Sequence, residues 1–189
     1  MADQLVTTVQ KTFTAEIAHF LLHHGGKCRY LHGHSYRFEI AVTGRVLDTT
    51  CEYGTPGMVL DFGILSAAFK QSVGIFDHSL LVPFTQEEWR ARALPLRQIP
   101  DLDTAFTTRV WCCGTDPTAE FLSRLTAYSV IDYLEQNFEP ETLTAVSVTV
   151  YETASSCASY ATRFESVDGE GFSHRVWEPW GTLGEQSYA

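Results

Sequence analysis

The chain has no apolar run approaching the ~18 residues that a membrane-spanning helix requires. Its opening residues, MADQLVTTVQKTFTAEIAHF, lack a basic region followed by an apolar stretch, so no signal peptide is expected. Basic residues are scarce: 13 Lys and Arg stand against 23 Asp and Glu, a formal net charge of −10. A protein that coats nucleic acid or an anionic membrane leans the other way, so neither partner is expected. Cysteines are few, and the five (Cys28, Cys51, Cys112, Cys113, Cys157) lack disulfide-framework spacing, which points to free thiols and a cytoplasmic location. Repeats and low-complexity segments are also missing. Apolar content is not: 44% hydrophobic residues over 189 positions are enough to bury one core.

Residues 4–20 and 34–47 read as strands, the second from the period-2 alternation of His34 to Val42. Asp61 precedes Ile64, Leu65, Ala68 and Phe69, which recur at helical spacing, and is placed as an N-cap. A turn follows at Gly74. Segment 83–115 has no clean period and holds Pro83, Pro95 and Pro100; it reads as a structureless insertion or lid. Asp116-Pro117 predicts a helix start, a capping carboxylate and then proline at the first helical position. That helix is expected to reach about Asn137 with Phe121, Leu122, Leu125, Tyr128, Ile131 and Leu134 on its apolar face. Leu143 to Tyr151 reads as a strand and Tyr160 to Phe164 as its hairpin partner, while the Gly-rich tail 166–189 has no placement. The order strand–strand–helix–helix–strand–strand predicts an α+β fold with an antiparallel sheet.

Three of the seven histidines stand out. His32-Gly33-His34 puts two imidazoles on one face of a strand. His19, near the end of the preceding strand, falls opposite them if the two strands pair as antiparallel neighbours. Three imidazoles without a fixed fourth ligand match a catalytic zinc site, which keeps one position open. Iron, copper and nickel also accept imidazole. An isolated His-x-His is more often a solvated pair, and His23-His24 before Gly25-Gly26 reads as a solvated turn. Cys28 lies four residues before His32, between Lys27 and Arg29. It is either a fourth ligand or a base or nucleophile standing beside the metal, where positive neighbours favour thiolate chemistry.

Several segments together resemble the 6-pyruvoyl-tetrahydropterin synthase / 6-carboxy-tetrahydropterin synthase family. They are Phe13 to His19, Lys27 to Tyr36, Gly57-Met58-Val59-Leu60-Asp61-Phe62, Phe76-Asp77-His78-Ser79-Leu80-Leu81, Asp116-Pro117-Thr118-Ala119-Glu120, and Tyr151-Glu152-Thr153 with Tyr160 downstream. The resemblance implies a tunnelling fold: a four-stranded antiparallel sheet with two helices on one face, joined into an oligomeric barrel, with stacked trimers forming a homohexamer. It places the pterin synthase domain at residues 1–165, with insertion 83–115 and a C-terminal extension at 166–189. It also implies Zn2+ on His19, His32 and His34, with Cys28 as catalytic base and Asp77 and His78 as its partners. Glu152 is then the carboxylate that anchors the pterin ring, and Thr118 and Glu120 lie near the pterin pocket.

The implied substrate is 7,8-dihydroneopterin triphosphate. One branch of the family eliminates triphosphate and gives 6-pyruvoyl-tetrahydropterin for tetrahydrobiopterin. Another releases acetaldehyde and triphosphate and gives 6-carboxy-5,6,7,8-tetrahydropterin on the way to queuosine. The Ser/Cys/Ala-rich stretch Thr153 to Tyr160 resembles the second branch. A third branch carries glutamate where this chain has Cys28. The anionic triphosphate requires local cations, for which Lys27, Arg29 and the insertion's Arg90, Arg92, Arg97 and Arg109 are candidates; pairing of those four arginines with local acids is the alternative. A zinc-binding assembly protein without turnover is the reading from another class, and the retained Cys28, His78 and Glu152 argue against it.

Overall fold

A computed structural model describes residues 5–93 and 109–164. Two long strands, β1 (Val6–His19) and β2 (His32–Arg45), form an antiparallel hairpin that pairs Val6 with Arg45 at one end and His19 with His32 at the other. Alternate residues of β2, namely Tyr36, Phe38, Ile40 and Val42, are buried, as the period-2 pattern predicts. β5 (Leu143–Tyr151) pairs antiparallel with β2, and β6 (Cys157–Arg163) pairs with β5 through the turn at 152–156. These four strands are the antiparallel sheet that the sequence predicts.

The sheet is nevertheless larger. β3 (Ser79–Val82) runs parallel to β1, and β4 (Val110–Cys112) parallel to β3, giving the order β4-β3-β1-β2-β5-β6. The expectation of a four-stranded, wholly antiparallel sheet is corrected to a mixed one with six strands among the described residues. Both added strands are short, and β4 is buried on every residue, so neither shows the alternation that marks a half-exposed strand. Segment 83–115 is likewise not structureless. It contributes β4 and a helix, α2 (Gln86–Ala93). Trp89 of α2 packs with Val82, Phe84, Val110 and Cys112 in a second small core at the β3–β4 edge.

Helix α1 (Phe62–Ser72) begins at Asp61, whose carboxylate accepts the Gly63 N–H, as expected of an N-cap. Helix α3 (Ala119–Asn137) packs on β5, β6 and α1, so the two longer helices cover one face of the sheet. Its buried residues include Phe121, Leu122, Leu125, Ile131 and Leu134; Tyr128 is half-buried, with its hydroxyl 2.8 Å from that of Tyr160. The main core lies between these helices and β1, β2 and β5, where Phe13 stacks on Phe69 at 4.3 Å between ring centroids. The tail 166–189, like Pro95, Arg97 and Pro100, lies outside the described residues.

Candidate functional site

Strand register assembles the site. His19 is the last residue of β1 and pairs with His32, the first of β2, while His34 and Tyr36 follow at two-residue steps on the same face of β2. The three imidazoles each present a nitrogen within 4.8 Å of the others. Gly33, between two of them, pairs with Ala18, and a Cβ there would press to 3.3 Å on the Ile17 carbonyl oxygen. The close approach of β1 and β2 at this level therefore favours glycine between the two histidines.

Two of the three rings are oriented by backbone groups outside the cluster. The Nδ1 of His19 is 2.9 Å from the Pro117 carbonyl oxygen, and that of His32 is 2.6 Å from the Tyr30 carbonyl oxygen. A carbonyl only accepts, so both rings carry their proton on Nδ1 and turn a lone pair at Nε2 inward. Metal-binding histidines need this arrangement. The Nε2 of His34 is buried without a hydrogen-bond partner. Burial pushes the His19 pKa below 6.5, against the opposing pull of the Pro117 carbonyl, with His32 adding to the lowering. Burial also lowers His34, opposed by Glu152. Imidazoles with inward lone pairs and one unpartnered buried nitrogen fit a zinc ion, which forms bonds of about 2.0–2.1 Å to histidine nitrogen.

Glu152 follows the last residue of β5, one step beyond the Arg37–Tyr151 pair, and its backbone is tied to Ser156 in the turn. This brings Oε1 to 3.4 Å from His19 Nε2 and 3.7 Å from His34 Nε2. The fully buried Tyr36 donates its hydroxyl to the same oxygen at 3.0 Å and lies 3.1 Å from His19 Nε2. Tyr36 thus links the imidazole cluster to the carboxylate. Its pKa is driven strongly upward by burial first, then by Glu152, with Cys28 contributing, so the phenol stays protonated. Tyr36 is not among the site residues expected from the sequence, although it continues the His32, His34 face by two; its hydroxyl partner has no local signal.

Cys28 is half-buried in a single 3-10 turn, Lys27–Arg29, with both cations exposed around it. The loop closes where the Leu21 N–H donates to the Cys28 carbonyl. Asp116 anchors the same loop, accepting the backbone N–H groups of Leu22 at 2.7 Å and His23 at 3.1 Å and lying 3.3 Å from His23 Nδ1. The expectations for this stretch are corrected in two places. Asp116 does not cap α3; Thr118 does, accepting the Phe121 N–H. His23 is exposed but holds a partner. The tripeptide 116–118 therefore anchors the cysteine loop, orients His19 and starts the helix. Thr118 sits one residue from the His19 contact, whereas Glu120 faces solvent.

Asp77 and His78, just before β3, lie against Glu16 of β1. Asp77 Oδ1 accepts the Glu16 N–H at 2.8 Å, and the His78 N–H donates to the Glu16 carbonyl at 2.7 Å. The His78 ring is exposed, 3.9 Å from the Asp77 carboxylate. No hydrogen bond joins either residue to Cys28 within this chain. Of the insertion arginines, Arg92 donates to the Glu88 carbonyl and lies over the Phe84 ring, Arg90 lies near Cys112, and Arg109 reaches back to the 77–78 backbone. Cys112 and Cys113 are buried, which raises their thiols to about 11 and about 12.

A mixed sheet with two helices on one face and three imidazoles at its end agrees with the comparisons to known proteins. The profile of the 6-pyruvoyl tetrahydropterin synthase family matches residues 8–163, and the chain belongs to that family. It is 33% identical over 135 residues to a probable 6-carboxy-5,6,7,8-tetrahydropterin synthase of Halobacterium salinarum, covering 71% of this chain and 73% of that protein. A 6-carboxy-5,6,7,8-tetrahydropterin synthase of Synechocystis sp. is 49% identical over 59 residues, 31% of this chain and 44% of that protein. The crystal structure of 6-pyruvoyl tetrahydropterin synthase from Plasmodium vivax shares the fold, with a TM-score of 0.62 at 17% identity over 85% of this chain and 99% of that one. Among the described residues, no helix is long and apolar enough to cross a membrane.

Proposed function

We propose that this chain is a zinc-dependent lyase that converts 7,8-dihydroneopterin triphosphate to 6-carboxy-5,6,7,8-tetrahydropterin, with loss of acetaldehyde and triphosphate, in queuosine biosynthesis in the cytoplasm. The observation that carries this reading is the convergence of His19, His32 and His34, two of them with Nδ1 held by backbone carbonyls. These residues would hold zinc, which when bound supplies Lewis acidity toward the substrate's side-chain oxygens. A carboxylate only accepts, so Glu152 suits the donor-rich 2-amino and N3–H edge of a pterin, and Tyr36 fixes its direction. An anchored ring places the side chain for reaction, and orientation is a large share of the rate.

Cys28 acts as the base that takes a proton from the side-chain carbon, and His78, with Asp77, exchanges a second proton. His78 is exposed and shares no hydrogen bond with Cys28 among the described residues, which favours completion of the site by a neighbouring copy in a trimer-based homohexamer. Lys27 and Arg29, exposed around Cys28, receive the triphosphate, and Thr118 and Glu120 border the pterin pocket.

The names of the relatives favour the carboxy product, as does the Ser/Cys/Ala-rich stretch Thr153 to Tyr160. The name of the matched family keeps 6-pyruvoyl-tetrahydropterin as the second reading. Incubation with 7,8-dihydroneopterin triphosphate and mass detection of products separates them. Acetaldehyde with a carboxy-pterin is expected. A pyruvoyl-pterin establishes the second reading, and zinc binding without turnover rejects both in favour of an assembly role.

A further inference from the structure

His78 has a backbone φ of 56°, the one non-glycine residue at positive φ among the described residues. Few non-glycine residues adopt this region, although histidine tolerates it better than most. The conformation is held from two sides. Glu16 of β1 supplies one side: its N–H goes to the Asp77 carboxylate, and its carbonyl accepts the His78 N–H. Arg109 supplies the other. Its Nε–H donates to the His78 carbonyl at 3.0 Å, and its Nη2 donates to the Asp77 carbonyl. The Arg109 carbonyl in turn accepts the Leu80 N–H at 2.9 Å, which fixes the arginine's own backbone against β3.

We infer that Arg109 is a positioning residue for His78, holding its left-handed backbone through a guanidinium bridge across two successive carbonyls. The inference rests on the reading that His78 transfers a proton. It differs from the triphosphate role expected of this arginine: the two donors that contact the chain are spent on carbonyls. A guanidinium suits the task because it presents several donors in one rigid plane, whereas a lysine ammonium is a point charge on a flexible stem. It also satisfies two carbonyls that β3 pairing leaves over, since that pairing begins at Ser79. The arginine comes from segment 83–115, so part of that segment serves the Asp77–His78 turn.

The test compares Arg109→Ala, Arg109→Lys and His78→Ala in the full-length, zinc-loaded protein, with steady-state kinetics on 7,8-dihydroneopterin triphosphate and amide hydrogen exchange over residues 76–81. For Arg109→Ala, kcat should fall about 10- to 100-fold, the scale of a small misplacement of a reacting group, with KM within about twofold of wild type. Arg109→Lys should recover little, and exchange at 76–81 should accelerate in both arginine variants while zinc content stays at the wild-type level. A raised KM with kcat retained and exchange unchanged makes Arg109 a phosphate contact and overturns the inference; unchanged kinetics and exchange overturn it too. Wild-type turnover in His78→Ala defeats the proton-transfer reading instead, and the exchange data still decide whether Arg109 holds the turn. If Arg109→Ala does not fold, Arg109→Lys carries the same comparison.

Discussion

The Nδ1 of His19 and the carbonyl oxygen of Pro117 are 2.9 Å apart across 98 positions of sequence. This bond sets the tautomer of a buried imidazole, and the same Asp116-Pro117-Thr118 segment anchors the loop that carries Cys28. The imidazole cluster and the thiol loop therefore share one support at the start of α3.

Burial of the imidazoles gives the metal-free protein a pH dependence. His19 and His34 titrate below 6.5 in the folded state, chiefly because burial disfavours their charged forms. The unfolded chain has ordinary histidines near 6.5. Below that pH the unfolded state binds more protons, so stability is full above about 6.5 and is lost as pH falls through and below it. Thermal unfolding from pH 8 to pH 5 should show this decline, and His19→Gln should flatten it.

Tyr36→Phe removes the donor to Glu152 and leaves the ring packing in place. A hydrogen bond to a charged group contributes about 1.5–3 kcal/mol, so kcat/KM should fall by about 10- to 100-fold. Zinc content should not change. Steady-state kinetics with metal analysis checks both; full activity would remove Tyr36 from the site.

Cys28→Ala tests the choice between base and ligand that the sequence leaves open. Turnover should fall by about 10²- to 10⁴-fold, the usual contribution of a general base, with one zinc still bound per chain. Loss of the metal in this variant would make Cys28 a ligand instead.

Asp116→Ala leaves two backbone N–H groups without their carboxylate, at a cost of about 1–3 kcal/mol if water does not replace it. Amide exchange at Leu22 and His23 should accelerate and kcat should drop, while zinc affinity changes less, because Pro117 still supplies its carbonyl. Unchanged exchange would mean that Asp116 does not anchor the loop.

Local pattern carried much of this structure. Alternation in β2 and the helical spacing after Asp61 are short-range signals, and both elements form where those signals place them. The imidazole cluster was legible because antiparallel neighbours bring His19 opposite His32 by simple register. What was illegible depends on distant partners. Asp116 resembles an N-cap, and only the approach of Leu22 and His23 shows its other use. Arg109 resembles a free cation until β4 lies beside β3 and brings it to the 77–78 carbonyls. The short buried strands β3 and β4 have no alternation to detect.

The central claim is that three imidazoles hold the metal on which turnover depends. The direct test strips the protein with a chelator and titrates zinc back while turnover of 7,8-dihydroneopterin triphosphate is followed. Activity should vanish on stripping and return in full at one zinc per chain, and His34→Ala should neither bind zinc nor recover. Undiminished turnover in the stripped protein, or full recovery by His34→Ala, would contradict the account.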